Sequence, residues 1–267
     1  MGKFVVSLAL VMVSGALAHG QTMGGPSGSP TTGGSPTGGA GANPPVIEKD
    51  IDLPVTAPEL KVPPTPPQPP EEPPVTPPGN PPTIYGQDLQ SENGTIFYVI
   101  DISGSMYSSA GQYTTPDGSV ATGSKMDRAK AELTKSVLSL PKNFKFNMLA
   151  FDCSVYPWKS SLQPADDPTK NQALAWISGL QPQGATGTGP AMAQALQEKG
   201  SKLFVLLTDG APNCGASGNA GHLAMINAAN SSKATINTFG IGAYGIFKQF
   251  CIDIASQNGP GSYTDVK

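Results

Sequence analysis

The sequence predicts an α/β fold in which a doubly wound, mostly parallel sheet is flanked by helices. Three observations carry this. From Thr95 onward, short apolar runs of β-forming residues alternate with longer segments of helical periodicity. The runs FYVI (97–100) and LFVLL (203–207) are apolar without a break, as expected of strands covered on both faces. Acidic and hydroxyl-bearing residues follow those runs at once, in DISGS (101–105) and TDG (208–210). The carboxyl ends of parallel strands, where the winding reverses, are where open sheets collect their functional groups.

Each element has a local reason. Residues 95–100 read as a buried strand. Lys125–Leu140 places Met126, Ala129, Leu133, Val137 and Leu140 on one helical face. Residues 144–151 form a second strand, and 155–162 a hairpin return. Asp167-Pro168 opens a helix with an acidic cap and a proline at the first helical position. That helix turns Leu174, Ile177 and Leu180 inward, with Trp176 partly so. A helix over 190–199 stops at Gly200, a third strand spans 202–208, and 223–230 is helical. Residues 235–241 give a fourth strand, 246–257 a last helix before Gly259, and 263–266 an edge strand. Residues 108–124 remain a polar stretch with a Pro116-Asp117-Gly118 turn. It is either a partner-selecting loop or a plain surface insertion.

Composition divides the chain. It holds 28 Pro and 32 Gly among 267 residues, about twice the ordinary joint share, and most of the proline lies between Pro26 and Pro82. Residues 1–20 read as a cleaved signal peptide: Lys3, an apolar run over 4–18, and small residues before Gln21. An uncleaved anchor is the rival reading. Val6 breaks the myristoylation pattern, and no later run is long enough to span a bilayer. Residues 21–87 read as a disordered linker, first rich in Gly, Ser and Thr, then in Pro. The Pro-rich part favours a stiff polyproline II stalk reaching about 120 Å over a rise of ~3.1 Å per residue. Its PxxP spacings also fit an SH3-type ligand, a weaker reading for an exported chain. Residues 88–267 make one domain, secreted or held in the periplasm or cell envelope. Its acids and bases nearly balance, and Arg128 is the only arginine. Nucleic-acid binding, which needs a basic face, is excluded on that ground.

The strand ends present two carboxylates and several hydroxyls, with a glycine-rich turn, GATGTG (184–189), between them. Hard oxygen donors of this kind select Mg²⁺. Together DISGSM, the GAT turn, LLTDGAPN and the closing TFGIG…FKQFCIDIASQNGPGSY resemble the von Willebrand factor A (vWA) domain family over residues 91–267. The resemblance implies a Rossmann-like sheet and a metal-ion-dependent adhesion site at Asp101, Ser103, Ser105, Thr186 and Asp209. In that pattern serine hydroxyls, and Thr186 in the ligand-competent state, bind Mg²⁺ (or Mn²⁺ or Ca²⁺), while the aspartates act largely through water. Neutral hydroxyls leave the ion's charge poorly compensated, so an Asp or Glu carboxylate of a protein or envelope partner completes it. Thr188 reads as a helix-capping group instead.

Cys153, Cys214 and Cys251 show no zinc spacing. By the expected strand order Cys214 and Cys251 pair, with Cys153–Cys214 the alternative. Asn93 and Asn230 begin glycosylation sequons. Enzyme readings fare poorly. His222 is the only histidine after His19 and is expected on a helix surface. No GxSxG, HExxH or Walker A motif is present. The sequence therefore reads as a metal-dependent binding module rather than an enzyme. The alternatives are an assembly domain whose metal only stabilises the fold, and a metal-dependent hydrolase.

Overall fold

A computed structural model of the chain describes residues 81–267 except Ala211; the expected signal peptide and nearly all of the linker lie outside the described residues. The fold begins with a small hairpin, β1 (Thr83–Ile84) and β2 (Gln87–Asp88). Its two-residue turn holds Tyr85 at φ 49° and Gly86 at φ 72°, the left-handed pair that matches strand twist. There follow β3 (Thr95–Asp101), a 3₁₀ turn (Gly104–Tyr107), β4 (Ser109–Thr114), β5 (Val120–Ser124), α1 (Lys125–Ser139) and β6 (Lys145–Phe151). Next come β7 (Val155–Pro157), β8 (Gln163–Pro164), α2 (Asp167–Gly179) and α3 (Thr188–Ala195). The chain closes with β9 (Leu203–Thr208), α4 (Gly218–Ala229), β10 (Thr235–Ile241), α5 (Gly245–Gln257) and β11 (Tyr263–Val266).

The main sheet runs β11-β10-β9-β3-β6-β7, with β8 also on β6. Its five strands from β11 to β6 are parallel, and only β7 and β8 return antiparallel. The chain winds from β3 outward to β6, then crosses to β9 on the other side of β3. The reversal therefore falls at β3, whose seven residues are all buried. Successive side chains of a strand point to opposite faces, and the core divides accordingly. Ile96, Tyr98 and Ile100 pack with Leu133 and Val137 of α1 and Ile177 of α2. Phe97 and Val99 pack with Met192 of α3, Ile226 of α4 and Phe250 of α5. The α/β architecture expected from the sequence is thus present, with helices on both faces.

Several local expectations differ. The folded region starts before residue 88: Ile84 and Leu89 are buried in the core, and Tyr85 stacks on Phe239 at 5.8 Å. A two-residue strand beside prolines carries no periodicity from which to read it. The polar stretch 108–124 is an antiparallel hairpin, β4 on β5, with a register shift between Ser109 and Gly111. Its tip is set by Asp117, which accepts from the Ser119 amide at 3.1 Å and from the Thr115 hydroxyl. Both strands are solvent-facing, so no apolar alternation marks them. The cap of α2 is Asp166, which accepts from the Thr169 amide at 2.8 Å, one residue earlier than expected.

His222 is fully buried rather than on a helix surface. Its Nδ1 accepts from the Gly189 amide at 2.8 Å, joining α4 to α3. A Cβ at position 189 would lie 2.8 Å from that nitrogen, so only glycine allows the approach. Burial holds the imidazole below its ordinary pKa, and protonating Nδ1 would destroy the hydrogen bond. The unfolded chain therefore takes up the proton more readily, and stability falls as pH drops below the ordinary histidine value of about 6.5. His222→Asn keeps an acceptor but does not titrate. The urea midpoint of wild type should fall relative to this variant on acidification from pH 7 to 5. A difference independent of pH would show that the imidazole stays neutral throughout or is not buried.

Candidate functional site

β3 ends in Asp101, which is fully buried. Its Oδ1 accepts from the Ser103 amide at 2.7 Å, and its Oδ2 accepts from the Thr208 hydroxyl at 2.6 Å. Thr208 in turn accepts from the Gly210 amide at 3.0 Å. One threonine thereby ties the end of β9 to the end of β3 and fixes the turn that carries Asp209. Gly210 has φ 80°, and a Cβ there would stand 2.8 Å from the Phe247 carbonyl. Ser103 and Ser105 point together, their hydroxyls 3.1 Å apart. Alternation along DxSxS brings these groups to one side as the strand becomes a 3₁₀ turn.

The glycine-rich turn closes over the same edge. The Gly104 amide donates to the Gly184 carbonyl at 3.0 Å, and the Gln183 amide to the Ile102 carbonyl at 2.6 Å. Gly184 has φ 65° and lies against Asp152, with 2.7 Å from the Asp152 carboxylate to the place of a Cβ. Thr186 is held by Asn213: its amide donates to Asn213 Oδ1 at 2.7 Å, and its carbonyl accepts from the Asn213 amide at 2.9 Å. The five candidate residues thus stand on turns stitched to one another at one sheet edge. Thr188 does not cap α3. Gly187 holds the cap position without a side-chain bond, and the Thr188 hydroxyl is buried without a partner.

The electrostatics are unbalanced. Burial pushes Asp101 up to about 6, the charge of Asp209 adds to the rise, and the hydrogen bonds from Thr208 and Ser103 work against it. Asp209 Oδ2 pairs with Lys125 Nζ at 3.1 Å, while Asp209 Oδ1 is buried with no partner. An orphaned carboxylate oxygen beside a second buried carboxylate and paired hydroxyls is a donor set that fits a hard cation. Among the described residues no three His, Cys, Asp or Glu side chains gather as a metal group; the donors here are mainly hydroxyls.

The expected Cys214–Cys251 bond is not formed. Cys153 pairs with Cys214, Cα atoms 5.9 Å apart, and Cys251 is free and buried. The loops after β6 and β9, on either side of β3, both bend over the glycine-rich turn. A Cβ at Gly187 would lie 3.5 Å from both Cys153 Cα and Cys214 Sγ. Cys251 faces inward beneath Gly210. Its thiol is pushed up to about 12 by burial and by Asp101 and Asp209, which leaves it unreactive. The Asn230 sequon is closed in the folded protein, since that side chain is buried and bonded to Ala234 in both directions; Asn93 is exposed. Sequence reasoning missed Lys125, Asp152, Thr208 and Asn213. Only Thr208 and Asn213 carried a signal, by standing within the LLTDGAPN run.

Residues 117–249 match the von Willebrand factor type A domain family. The inter-alpha-trypsin inhibitor heavy chain H4 of Bos taurus is 30% identical over 132 residues, 45% of this chain and 13% of that protein. The human von Willebrand factor A domain-containing protein 3B is 29% identical over 102 residues, 38% of this chain and 8% of that one. The chain thus spans a small fraction of these relatives. Among solved structures, a von Willebrand factor type A protein from Catenulispora acidiphila superposes with a TM-score of 0.52 at 22% identity. That match covers 65% of this chain and 38% of the other, and it agrees with the fold described above.

The cysteine pairing makes a direct expectation. Alkylation of the unfolded, unreduced chain should label Cys251 alone. Closing a loop with a sequence separation of 61 constrains the unfolded chain by about 4 kcal/mol on the chain-entropy account, so the Cys153→Ser, Cys214→Ser double variant should lose roughly 2–4 kcal/mol in urea melts. Label on Cys153 or Cys214 would contradict the pairing.

Proposed function

We propose that this chain, which carries a von Willebrand factor type A domain, is an exported binding module that engages a protein or cell-envelope partner through a metal-bridged carboxylate. The observation that carries the reading is the orphaned Asp209 Oδ1, buried beside Asp101 at the edge where Ser103 and Ser105 present their hydroxyls. Ser103, Ser105 and Thr186 are the residues that would hold Mg²⁺ (or Mn²⁺ or Ca²⁺), with Asp101 and Asp209 acting through ordered water. Bound there, the ion supplies positive charge and an open position for an Asp or Glu carboxylate of the partner.

The surroundings suit a macromolecular partner. Tyr107, Tyr244 and Ile246 are more than two-thirds exposed, the first on the 3₁₀ turn that carries Ser105 and the other two at the start of α5. Aromatic and aliphatic side chains around a polar centre are the make-up of a binding patch. Export rests on the apolar run of residues 4–18, and the Pro-rich segment would serve as a stalk. No nucleophile–base pair stands at this edge among the described residues, and His222 is engaged in helix packing.

Mg²⁺ at about a hundred times its dissociation constant should stabilise wild type by about 2.7 kcal/mol, a rise of roughly 5–10 °C in Tm. Asp209→Ala should show no such rise. Proteins retained by the immobilised full chain in Mg²⁺ should elute with EDTA and be absent with Asp101→Ala, at unchanged circular dichroism. Equal thermal shifts in both proteins would remove Asp209 from the site. Partner binding that survives EDTA and Asp101→Ala would leave a domain whose metal serves only stability.

A further inference from the structure

The cation nearest the candidate site belongs to the protein itself. Lys125 Nζ lies 3.1 Å from Asp209 Oδ2, with the two side chains 16% and 4% exposed. This is not a loose surface pair. The lysine stem runs over Gly242, where a Cβ would stand 3.1 Å from Lys125 Cε. Gly242 has φ 62° at the end of β10, a conformation that keeps side chains away. At its backbone end, Lys125 is the first residue of α1. Its amide donates to the Ser108 carbonyl at 2.8 Å and closes the base of the β4–β5 hairpin. The preceding Ser124 and Asp127 form a reciprocal capping box that fixes the start of the helix. One residue therefore joins the exposed hairpin to the carboxylate at the site.

We propose that Lys125 is a tethered counter-cation of this site. Resting on the metal-site reading above, the inference is that its ammonium neutralises Asp209 while no metal is present. It competes with the divalent ion for that carboxylate and yields on binding, so that metal occupancy is coupled to the base of the hairpin. The competition follows from charge. A divalent ion served by Asp209 sits close to a monovalent ammonium in a poorly solvated place, where like charges repel strongly. The pairing also offsets part of the negative charge of the two carboxylates buried at this edge. The ammonium covers one oxygen of Asp209 and leaves the other open. Lysine is suited to the task because its charge sits on a flexible four-carbon stem that can swing to solvent. The exposed hairpin, whose Tyr107 and Val120 flanks present apolar surface, is then positioned differently in the metal-free and metal-bound states.

Isothermal titration of Mg²⁺ and Mn²⁺ into the full chain tests this with wild type, Lys125→Met, Lys125→Arg and Asp209→Ala. Lys125→Met keeps the stem and removes the charge, and it should bind metal at least tenfold more tightly than wild type. Lys125→Arg should stay near wild type, and Asp209→Ala should not bind. Binding by Lys125→Met alone, with none by wild type, supports the inference in its strongest form. Equal or weaker binding by Lys125→Met, with wild type binding and Asp209→Ala silent, overturns the inference and leaves the metal site standing. No binding by wild type or Lys125→Met overturns both, as does undiminished binding by Asp209→Ala. Hydrogen exchange on wild type gives a second measure that needs no variant. Saturating Mg²⁺ should speed exchange of the hairpin amides in residues 108–124, and unchanged exchange would break the coupling.

Discussion

The hydrogen bond from Thr208 to Asp101 is the constraint around which the functional edge is arranged. Asp101 is a carboxylate with no access to water at the end of the central strand, and a buried charge persists only with partners. Two are available within the local chain geometry: the Ser103 amide, supplied by the turn of DxSxS, and the Thr208 hydroxyl, supplied by β9. Accepting from Thr208 requires β9 to lie beside β3 in its observed register, with Ile100 opposite Leu207. That register in turn sets where Asp209 and the Gly210 turn emerge.

Parallel strands make the rest of the edge a matter of topology. All carboxyl ends of β6, β3, β9 and β10 open to one side, so the loops after them must meet. The winding reversal at β3 separates the flanking helices there and leaves room for the glycine-rich turn to drop onto Gly104. Two cross-links hold that turn. The first is hydrogen bonding through Asp152 and Asn213; the second is the Cys153–Cys214 bond, which joins the same two loops covalently. Gly184 and Gly187 are needed because Asp152 approaches too closely for a side chain at either position, through its carboxylate at 184 and its carbonyl at 187.

What the sequence disclosed depended on whether a signal was local. The two central strands β3 and β9 announced themselves by unbroken apolar runs, since both their faces are buried, and the helix faces by spacing. Asp101, Ser103, Ser105 and Asp209 stood out as candidates because they follow such runs at once, and Thr186 because it lies in a glycine-rich turn; the fold brings these turns to one sheet edge. The disulfide was not legible: choosing among three cysteines needs the direction in which loops bend, and Cys251 points into the core. His222 was misplaced for a similar reason. Its partner is the amide of Gly189, which has no side chain by which to declare a contact 33 residues away. The β4–β5 hairpin escaped because exposed two-stranded ribbons bury nothing and so show no period.

Lys125 shows the limit most sharply, and it changes how the site is understood. In the sequence it is the opening residue of an amphipathic helix, with nothing to distinguish it from other lysines. In the fold it sits 84 positions from Asp209 yet bonds to it, because α1 starts at the same sheet edge at which β9 ends. Two buried carboxylates cannot share that edge without compensation, and the folded chain supplies one positive charge against two negative ones. Burial, with the charge of Asp209 added to it, keeps Asp101 raised, and Asp209 Oδ1 is left without a partner. A fold that satisfied these oxygens fully with its own side chains would gain stability and lose any reason to attract an external cation. The folded chain thus leaves one buried carboxylate oxygen uncompensated at this edge, and the proposed cation site rests on that oxygen.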